Sequence, residues 1–426
     1  MNGNRSRRWA TVLGVALAAT ACGQVRDAAP TVEDALEVFD GTVTFGAPLA
    51  ASGPRATEGG YVRDGFDVAQ EIINASGGIG IDGRHYRVEI VYVDDESDPE
   101  SSARAARTLV EDEDVDFLLG PYGSSATAAV SEYVESARIP LVAANGTASS
   151  IYTHENRYTF GVASPADQYL ADVIDTIALA AKGRQRVALI SETDTFAADA
   201  IGGAEARALA SGWEVVYRGT YPAKAEEFVS EVTALREAGP DVILGAGHLS
   251  DTMAFVQQAR GAGVEPMAWG FAVGPNAPEF RSQLGTDADY VLGAAQWTES
   301  MRLDGDALFG TPAEFAARVR ASTGRYGGEE VPYHVAQSAA SLLVYKDAIE
   351  RVGTVEPEAV RLALTRTDLD TFFGRIKFDY RQVNVFKSMA AVQNGTDGQL
   401  HTVGPRVAAE RPIEFPVPAW AARSTD

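Results

Sequence analysis

The chain has 426 residues, of which 46% are apolar and 22% are charged, and its formal net charge is −23. This length and composition indicate a soluble globular protein of two or three domains with enough apolar residues for a sizeable core. The acidic balance argues against a nucleic-acid-binding protein, because contacts with phosphate backbones require clustered lysines and arginines. We interpret the acidity itself as a solvated surface.

The N-terminus carries the features of an export signal. A basic run with three arginines precedes an apolar segment, residues 9–21, that is too short to cross a membrane in the mature protein. Small residues then precede Cys22, the only cysteine of the chain, so residues 1–22 are predicted to be a lipoprotein signal. A lipid on Cys22 would anchor the protein to the membrane, with the folded part outside it and residues 23–40 as a tether. Ordinary secretion with an incidental cysteine is the alternative.

Short apolar runs separated by amphipathic helices follow, which is the pattern of a parallel sheet wound with helices. The predicted order is strand 43–46, helix 66–73, strand 88–93, helix 101–111, strand 117–119, helix 126–137 and strand 141–144. The loops that begin at Gly120 and Asn145 leave the carboxyl ends of neighbouring strands, where open α/β folds bind ligands. Hydroxyls and helix N-terminal amides at Ser124 and Ser125 favour a carboxylate or another acceptor-rich group.

A second series of the same kind begins near residue 164. Its predicted elements are helix 169–181, strand 187–190, helix 197–210, strand 215–217, helix 228–237, strand 242–244, helix 254–260 and strand 267–269. Two similar α/β halves imply a cleft between them. Helices are then predicted over 315–323, 335–349 and 359–364. Residues 375–378 and 389–392 alternate like antiparallel edge strands.

Several short motifs occur in a fixed order along the chain. They are Gly46-Ala47-Pro48-Leu49 with Ser52-Gly53, the run from Glu71 to Ile79, Asp94 with Asp98-Pro99, Gly120 with Ser124-Ser125, Ile139-Pro140 with Gly146-Thr147, and Gly374 with Ile376 and Phe378-Asp379. Taken together, in this order and spacing, they resemble the leucine/isoleucine/valine-binding family of type I periplasmic binding proteins, which serve bacterial ABC transporters. The resemblance covers residues 41–405.

The resemblance implies an α/β fold of two lobes, each a wound, mostly parallel sheet flanked by helices, with three hinge crossings between them. Carried over to this chain, lobe 1 would comprise residues 41–163 and 298–372. Lobe 2 would comprise residues 164–297 and 373–405. The remaining residues, 406–426, are expected to form a loosely ordered tail.

The resemblance also implies where a ligand binds. In the family, the residues at Ser124, Asn145 and Thr147 hold the carboxylate and ammonium of an amino acid, and an aromatic ring at Phe196 lies against the ligand. Each of these residues could instead have a purely structural role, since Ser124 could cap its helix, Asn145 could form a turn, and Phe196 could belong to the core. The other residues expected at the site are Ser52, Ser125, Gly146, Asp194, His248, Asp251 and Phe271.

One departure from the family concerns the ligand ammonium. Amino-acid-binding members carry an acidic residue where this chain has Phe271-Ala272-Val273-Gly274-Pro275, which offers no carboxylate. A buried ammonium without a partner costs on the order of several kcal/mol. Either Asp194 or Asp251 therefore takes that place, or the ligand is an acid or amide without an amine, either aromatic or aliphatic. His248 is interpreted as a rim or loop residue and not as a metal ligand, because no further ligands at suitable spacing are visible near it.

The function implied is capture of a small carboxylate or amide ligand, a branched-chain amino acid or a related acid, for delivery to the permease subunits of an ABC transporter. An enzyme is disfavoured, because the chain has no Gly-x-Ser-x-Gly elbow, no phosphate loop with lysine and no His-Glu-x-x-His. A ligand-sensing receptor of the same fold is the alternative. We expect a monomer outside the cytoplasm, with no cofactor and no metal.

Overall fold

The structure, a computed structural model, describes residues 39–420. The predicted signal with Cys22, nearly all of the tether and the end of the tail therefore lie outside the described residues. Within residues 39–420, no helix is both long and apolar enough to cross a membrane. Two large β-sheets and one two-stranded sheet form in this part of the chain, with helices packed on the large sheets.

The first large sheet is built from the first part of the chain. Its strands are β1 (Gly41–Leu49), β2 (Ile79–Ile81), β3 (Arg84–Asp94), β4 (Phe117–Leu119), β5 (Leu141–Ala143) and β6 (Thr159–Gly161). They lie in the order β2-β3-β1-β4-β5-β6, and every neighbouring pair except β2 with β3 is parallel. All three residues of β4 are buried, as expected of a strand that helices cover on both faces.

Helices from two separate parts of the chain pack on this sheet or on one another. They are α1 (Ala56–Ala75), α2 (Pro99–Glu111), α3 (Ser124–Ala137), α9 (Pro312–Thr323), α10 (Tyr333–Val352) and α11 (Pro357–Leu364). The long helix α10 lies along α1 and reaches β2 and β5, while α9 packs on α1 and α11 packs on α10. We call the first sheet with these six helices lobe 1.

The second large sheet has seven strands. They are β7 (Arg186–Glu192), β8 (Glu214–Tyr221), β9 (Val242–Ala246), β10 (Ala268–Phe271), β11 (Leu292–Ala295), β14 (Ala390–Asn394) and β15 (Leu400–Gly404). The order is β15-β14-β11-β10-β9-β7-β8, parallel from β8 to β11 and antiparallel beyond. Its helices are α4 (Ala171–Ala180), α5 (Thr195–Ala210), α6 (Val229–Ala238), α7 (Leu249–Gly261) and α8 (Pro278–Leu284). This sheet and these helices form lobe 2.

The mixed α/β class with parallel sheets flanked by helices is confirmed, and three of the strands that the sequence did not predict are very short or lack the residues typical of strands. Strands β2 and β6 have three residues each, and β11 is Leu-Gly-Ala-Ala, with no β-branched or aromatic residue. The antiparallel arrangement at the end of the chain is also confirmed. Strand β14 is nevertheless not an edge strand, because it lies between β11 and β15, and residues 374–377 form β13 (Gly374–Lys377), which pairs with β12 (Asp368–Thr371) in the small sheet.

The segment after β15 lies against lobe 2. The amide of Val417 donates to the Met267 carbonyl at 2.9 Å. The indole Nε1 of Trp420 donates to the Val264 carbonyl, also at 2.9 Å, and its ring lies 6.0 Å from that of Trp269. Residues 406–420, expected to be loosely ordered, therefore make specific contacts with the strand and loop on either side of residue 267.

Close packing of α1 on α10 sets the position of the start of α10, and it generates a first prediction. A Cβ at Gly65 would lie 2.3 Å from the Val335 carbonyl oxygen, whereas a Cβ at Gly60, in the same helix, meets only an arginine tip at 3.8 Å. We expect Gly65→Ala to lower the free energy of unfolding by about 1–3 kcal/mol through overpacking. The control Gly60→Ala should leave it unchanged or raise it by about 0.5–1 kcal/mol. Urea unfolding measures both, and equal losses would contradict the packing described.

Candidate ligand-binding site

A cavity of about 20 Å³ lies between the two lobes. The loops after β4 and β5 and the first turn of α10 line it from lobe 1, and the start of α5 and the loops after β9 and β10 line it from lobe 2. The lining residues are Tyr122, Gly123, Ser124, Asn145, Thr147, Tyr333, His334 and Gln337 from lobe 1, and Tyr169, Phe196, His248 and Val273 from lobe 2. This volume suffices for about one water molecule. A larger ligand can therefore enter only when the lobes separate.

The start of α3 is open toward the cavity. Its N-cap, Gly123, has a φ of 94° and supplies no side-chain cap for the first amides of the helix. The Ser124 hydroxyl oxygen accepts hydrogen bonds from the amides of Thr147 and Ala148, both at 3.0 Å. These bonds tie the loop after β5 to the helix and leave the Ser124 hydroxyl proton available for donation. Free amides at a helix N-terminus favour an anion.

The neighbouring loop is fixed by α10 and by close packing. Gln337 Nε2 donates to Asn145 Oδ1 at 2.5 Å, and Asn145 Nδ2 donates to the Ser338 hydroxyl at 3.0 Å. A Cβ at Gly146 would lie 2.3 Å from the Thr127 hydroxyl oxygen, so no side chain fits there. Gly146 is not among the lining residues, and its part is to let the loop approach α3.

His248 joins the two lobes at the edge of the cavity. Its Nδ1 lies 2.9 Å from the Tyr122 hydroxyl oxygen in lobe 1, and its Nε2 lies 2.9 Å from Asp194 Oδ2 in lobe 2. Burial and the nearby Arg55 both disfavour a charged imidazole, but the hydrogen bond and charge of Asp194, with the charge of Glu192, raise the pKa of His248. Burial likewise opposes ionisation of Asp194, yet the same hydrogen bond lowers the pKa of that carboxyl. The carboxylates of lobe 2 thus favour the protonated ring more than burial disfavours it.

Arg55, immediately before α1 in lobe 1, reaches across to two carboxylates of lobe 2. Its Nη2 donates to both oxygens of Glu192, at 2.7 and 2.9 Å, and its Nη1 lies 3.5 Å from Asp251 Oδ1. The side chains of Glu192 and Asp251 are only 1% and 2% exposed. Next to this cluster, Glu58 accepts from the Leu249 amide of lobe 2 at 3.3 Å. Buried charges of this kind must be paired, so the cluster depends on contact between the lobes.

Two carboxylates beside His248 correct the expectation that no further metal ligands lie near it. Atoms of Glu192, Asp194 and His248 that could bind a metal all lie within 4.8 Å of one another. Strand β7 and the turn after it bring Glu192 and Asp194 there from more than fifty residues away in sequence, a distance at which spacing gives no signal. Both oxygens of Glu192 accept from Arg55, and Asp194 accepts from His248. We assign these residues to the ion-pair network between the lobes.

The other residues predicted for the site occupy different places. The Ser125 hydroxyl lies 3.4 Å from that of Thr195 across the cleft, whereas Ser52 is exposed and donates to Asp94 at 2.8 Å. Asp251 caps the start of α7, where it accepts from the amide of His248. Phe271 packs in the lobe 2 core against Phe255 and Trp269. Ser52, Asp251 and Phe271 therefore do not line the cavity.

The lining residues that the sequence did not predict are mostly aromatic or belong to the first turn of α10: Tyr122, Tyr169, Tyr333, His334 and Gln337. Helix α10 is apolar and buried along most of its length, which indicates a core helix. His334 and Gln337 lie three residues apart at its start, on one face, and both are buried. This pair of polar residues, three positions apart in an otherwise apolar helix, is the sequence signal that could have identified them as site residues.

The Arg55 contact generates a second prediction. Arg55→Met leaves Glu192 and Asp251 without their cation, and separation of the lobes returns both carboxylates to water. We expect a larger radius of gyration by small-angle scattering and about one to two decades weaker binding of solute. The matched control is Arg207→Met, which removes an exposed pair with Asp175 and should change neither quantity, because exposed pairs contribute little. Unchanged scattering for Arg55→Met would contradict a role in closure.

Comparison with known proteins identifies the family to which this architecture belongs. The family model of periplasmic binding proteins matches residues 42–399. The Leu/Ile/Val-binding protein homolog 8 of Brucella abortus (strain 2308) is 27% identical over 394 residues, which cover 88% of this chain and 93% of the relative. Homolog 7 of Brucella suis biovar 1 (strain 1330) is 28% identical over 393 residues, with 88% and 94% covered.

Solved structures show the same fold. The branched-chain amino acid transporter substrate binding protein of Streptococcus pneumoniae in complex with isoleucine is 22% identical, with a TM-score of 0.70, and the match covers 85% of this chain and all of that one. A solute binding protein from R. palustris in complex with benzoate is 18% identical, with a TM-score of 0.73 and coverage of 86% and 96%. The two-lobed type I fold is thereby confirmed, and the match over residues 42–399 shows that this chain belongs to the periplasmic binding protein family.

Proposed function

We propose that this protein is an extracytoplasmic solute-binding lipoprotein that captures a small carboxylate- or amide-bearing ligand between its lobes and delivers it to an ABC permease. The observation that carries the proposal is the cavity itself, which residues of both lobes enclose and on which the open N-terminus of α3 and the Ser124 hydroxyl converge. A ligand that contacts both lobes favours the closed form by its differential contacts.

These side chains support binding of a solute without a chemical reaction. The Ser124 oxygen accepts from two amides, and no hydrogen bond within residues 39–420 joins its hydroxyl to a side-chain base that would activate a nucleophile. His248 already pairs with Tyr122 and Asp194. The relatives are likewise described as binding proteins. We therefore infer a monomeric binding protein that needs neither cofactor nor metal.

Charge at the cavity favours an acid over an amino acid. No lining residue is a carboxylate, while the hydrogen bond and charge of Asp194 raise the pKa of His248, which lines the cavity. Asp194 and Asp251 are the candidates for an ammonium partner, but both already accept hydrogen bonds. Asp194 accepts from the His248 ring, and Asp251 accepts from the His248 amide and the Tyr221 hydroxyl. Both ligand types occur among proteins of this fold, since the neighbours described above hold isoleucine in one case and benzoate in the other.

Motion of the lobes needs a hinge, and contacts near the expected crossings support one. The Gln296 side chain accepts from the Ser164 amide at 3.1 Å and donates to the Ser164 carbonyl at 3.0 Å. Trp297 Nε1 donates to the Phe372 carbonyl at 2.9 Å. We infer that the chain crosses between lobes near these residues, which agrees with lobe divisions after residues 163, 297 and 372.

Attachment and partner remain part of the proposal. Small residues before Cys22 support a lipid anchor there, and the intact mass of the membrane-extracted protein tests it. The family supports a location outside the cytoplasm and a permease as partner. A receptor component of the same fold that reports ligand to a membrane protein is the second candidate, because the same closing motion serves either role.

A screen by thermal shift tests the proposed ligand class. We expect amine-free acids, such as 4-methyl-2-oxopentanoate or phenylacetate, to raise the melting temperature more than leucine or phenylalanine. Ligand at about 100 times its dissociation constant adds about 2.7 kcal/mol to stability. Ser124→Ala should remove the shift, whereas Ser136→Ala, exposed near the end of the same helix, should keep it.

Two outcomes would count against these assignments. Stabilisation by leucine or valine but by none of the matching acids would refute the amine-free ligand. Stabilisation by neither set would remove the carboxylate assignment at Ser124.

A further inference from the structure

The first turn of α10 holds three polar atoms whose hydrogen-bonding capacity is unused. The Tyr333 hydroxyl, His334 Nδ1 and Gln337 Oε1 are buried and have no hydrogen-bond partner among the described residues. Burial and the neighbouring Tyr169 raise the pKa of Tyr333, but the two hydroxyls do not complete a hydrogen bond. All three side chains line the cavity and are at most 3% exposed. Unpaired buried polar atoms are rare, so three in one turn indicate a partner that arrives with the ligand.

The chemistry of these atoms restricts what that partner is. The amide nitrogen of Gln337 donates to Asn145, which fixes the orientation of the side-chain amide. The unpaired atom is therefore Oε1, which can only accept a hydrogen bond. Burial, reinforced by His248, lowers the pKa of His334 to about 3, so its ring is neutral and offers one donor and one acceptor. The Tyr333 hydroxyl both donates and accepts.

A hydroxyl group matches this set, because it also donates one hydrogen bond and accepts others. An ammonium group can also donate to these atoms, but no carboxylate among the lining residues balances its charge. The His334 ring is held in place by its neighbours, with ring centroids at 4.0 Å from Tyr333, 5.6 Å from Tyr122 and 5.9 Å from Tyr61. The directions in which its ring nitrogens can form hydrogen bonds are therefore fixed.

We propose that the ligand is a hydroxylated carboxylic acid whose hydroxyl group pairs with His334 and Gln337 in the first turn of α10. This inference rests on the proposed function, in which the carboxylate binds at the start of α3. Four aromatic side chains among the lining residues, Tyr122, Tyr169, Phe196 and Tyr333, favour a ligand with an aromatic ring. The class that fits best is therefore a hydroxylated aromatic acid.

Titration calorimetry with matched acids tests this inference. The probes are benzoate, its three monohydroxy derivatives, phenylacetate and the corresponding hydroxyphenylacetates, together with phenylalanine and tyrosine. We expect at least one hydroxylated acid to bind about tenfold or more tightly than its parent acid, because a buried hydrogen-bonding group discriminates against ligands that leave it unpaired.

Variants then locate the discrimination. Gln337→Met keeps the length of the side chain and removes the acceptor, and His334→Phe keeps a ring without nitrogens. Either change should bring the affinity ratio of hydroxylated to parent acid toward one. Gln257→Met, exposed on α7, is the matched control and should keep the ratio of the unaltered protein.

The possible results separate this inference from the proposed function. Parent acids that bind as tightly as every hydroxylated acid would overturn the inference and leave the proposed function in place. Binding of phenylalanine or tyrosine without binding of the amine-free acids would do the same. A preference for hydroxylated acids that survives both variants would overturn the assignment to α10. Binding of none of these probes by a folded protein would count against the hydroxylated aromatic class, while the wider screen of aliphatic acids decides the proposed function separately.

Discussion

Buried ion pairs join the two lobes at their contact, and we expect the closed arrangement to depend on them. Arg55 of lobe 1 holds both oxygens of Glu192 and lies beside Asp251, and His248 of lobe 2 pairs with Tyr122 across the cleft. These groups are buried at the contact between the lobes, and water would solvate each of them if the lobes separated. In the proposed function, this exchange lowers the free-energy cost of opening the lobes and so allows release of the solute.

Much of the architecture could be predicted from local patterns, and the part that could not depends on contacts between distant residues. Short apolar runs identified β4 and β5, and hence the loops that carry Ser124 and Asn145 to the cavity. The pairing of Arg55 with Glu192 joins residues 137 positions apart and has no local signature. The apolar composition of residues 335–349 predicted a helix there, but it gave no indication of the polar groups in the first turn of α10.

The site also shows how one set of residues can have structural and binding roles together. Ser124 accepts two amides of the neighbouring loop, and this leaves its proton directed elsewhere. Gln337 fixes Asn145 with its amide nitrogen and keeps its oxygen unpaired in the cavity. The residues that hold the loops in position thus determine which polar atoms remain unpaired at the cavity, and in the proposed function these atoms select the ligand class.

The central claim, that solute binds between lobes that close on it, can be tested through a disulfide across the cleft. The only natural cysteine is Cys22, and the hydroxyls of Ser125 and Thr195 lie 3.4 Å apart in the closed form. In a Cys22→Ser background, Ser125→Cys with Thr195→Cys reports closure by the rate of disulfide formation. The account predicts faster formation when the solute that most raises the melting temperature is added. An unchanged rate at saturating solute would contradict it.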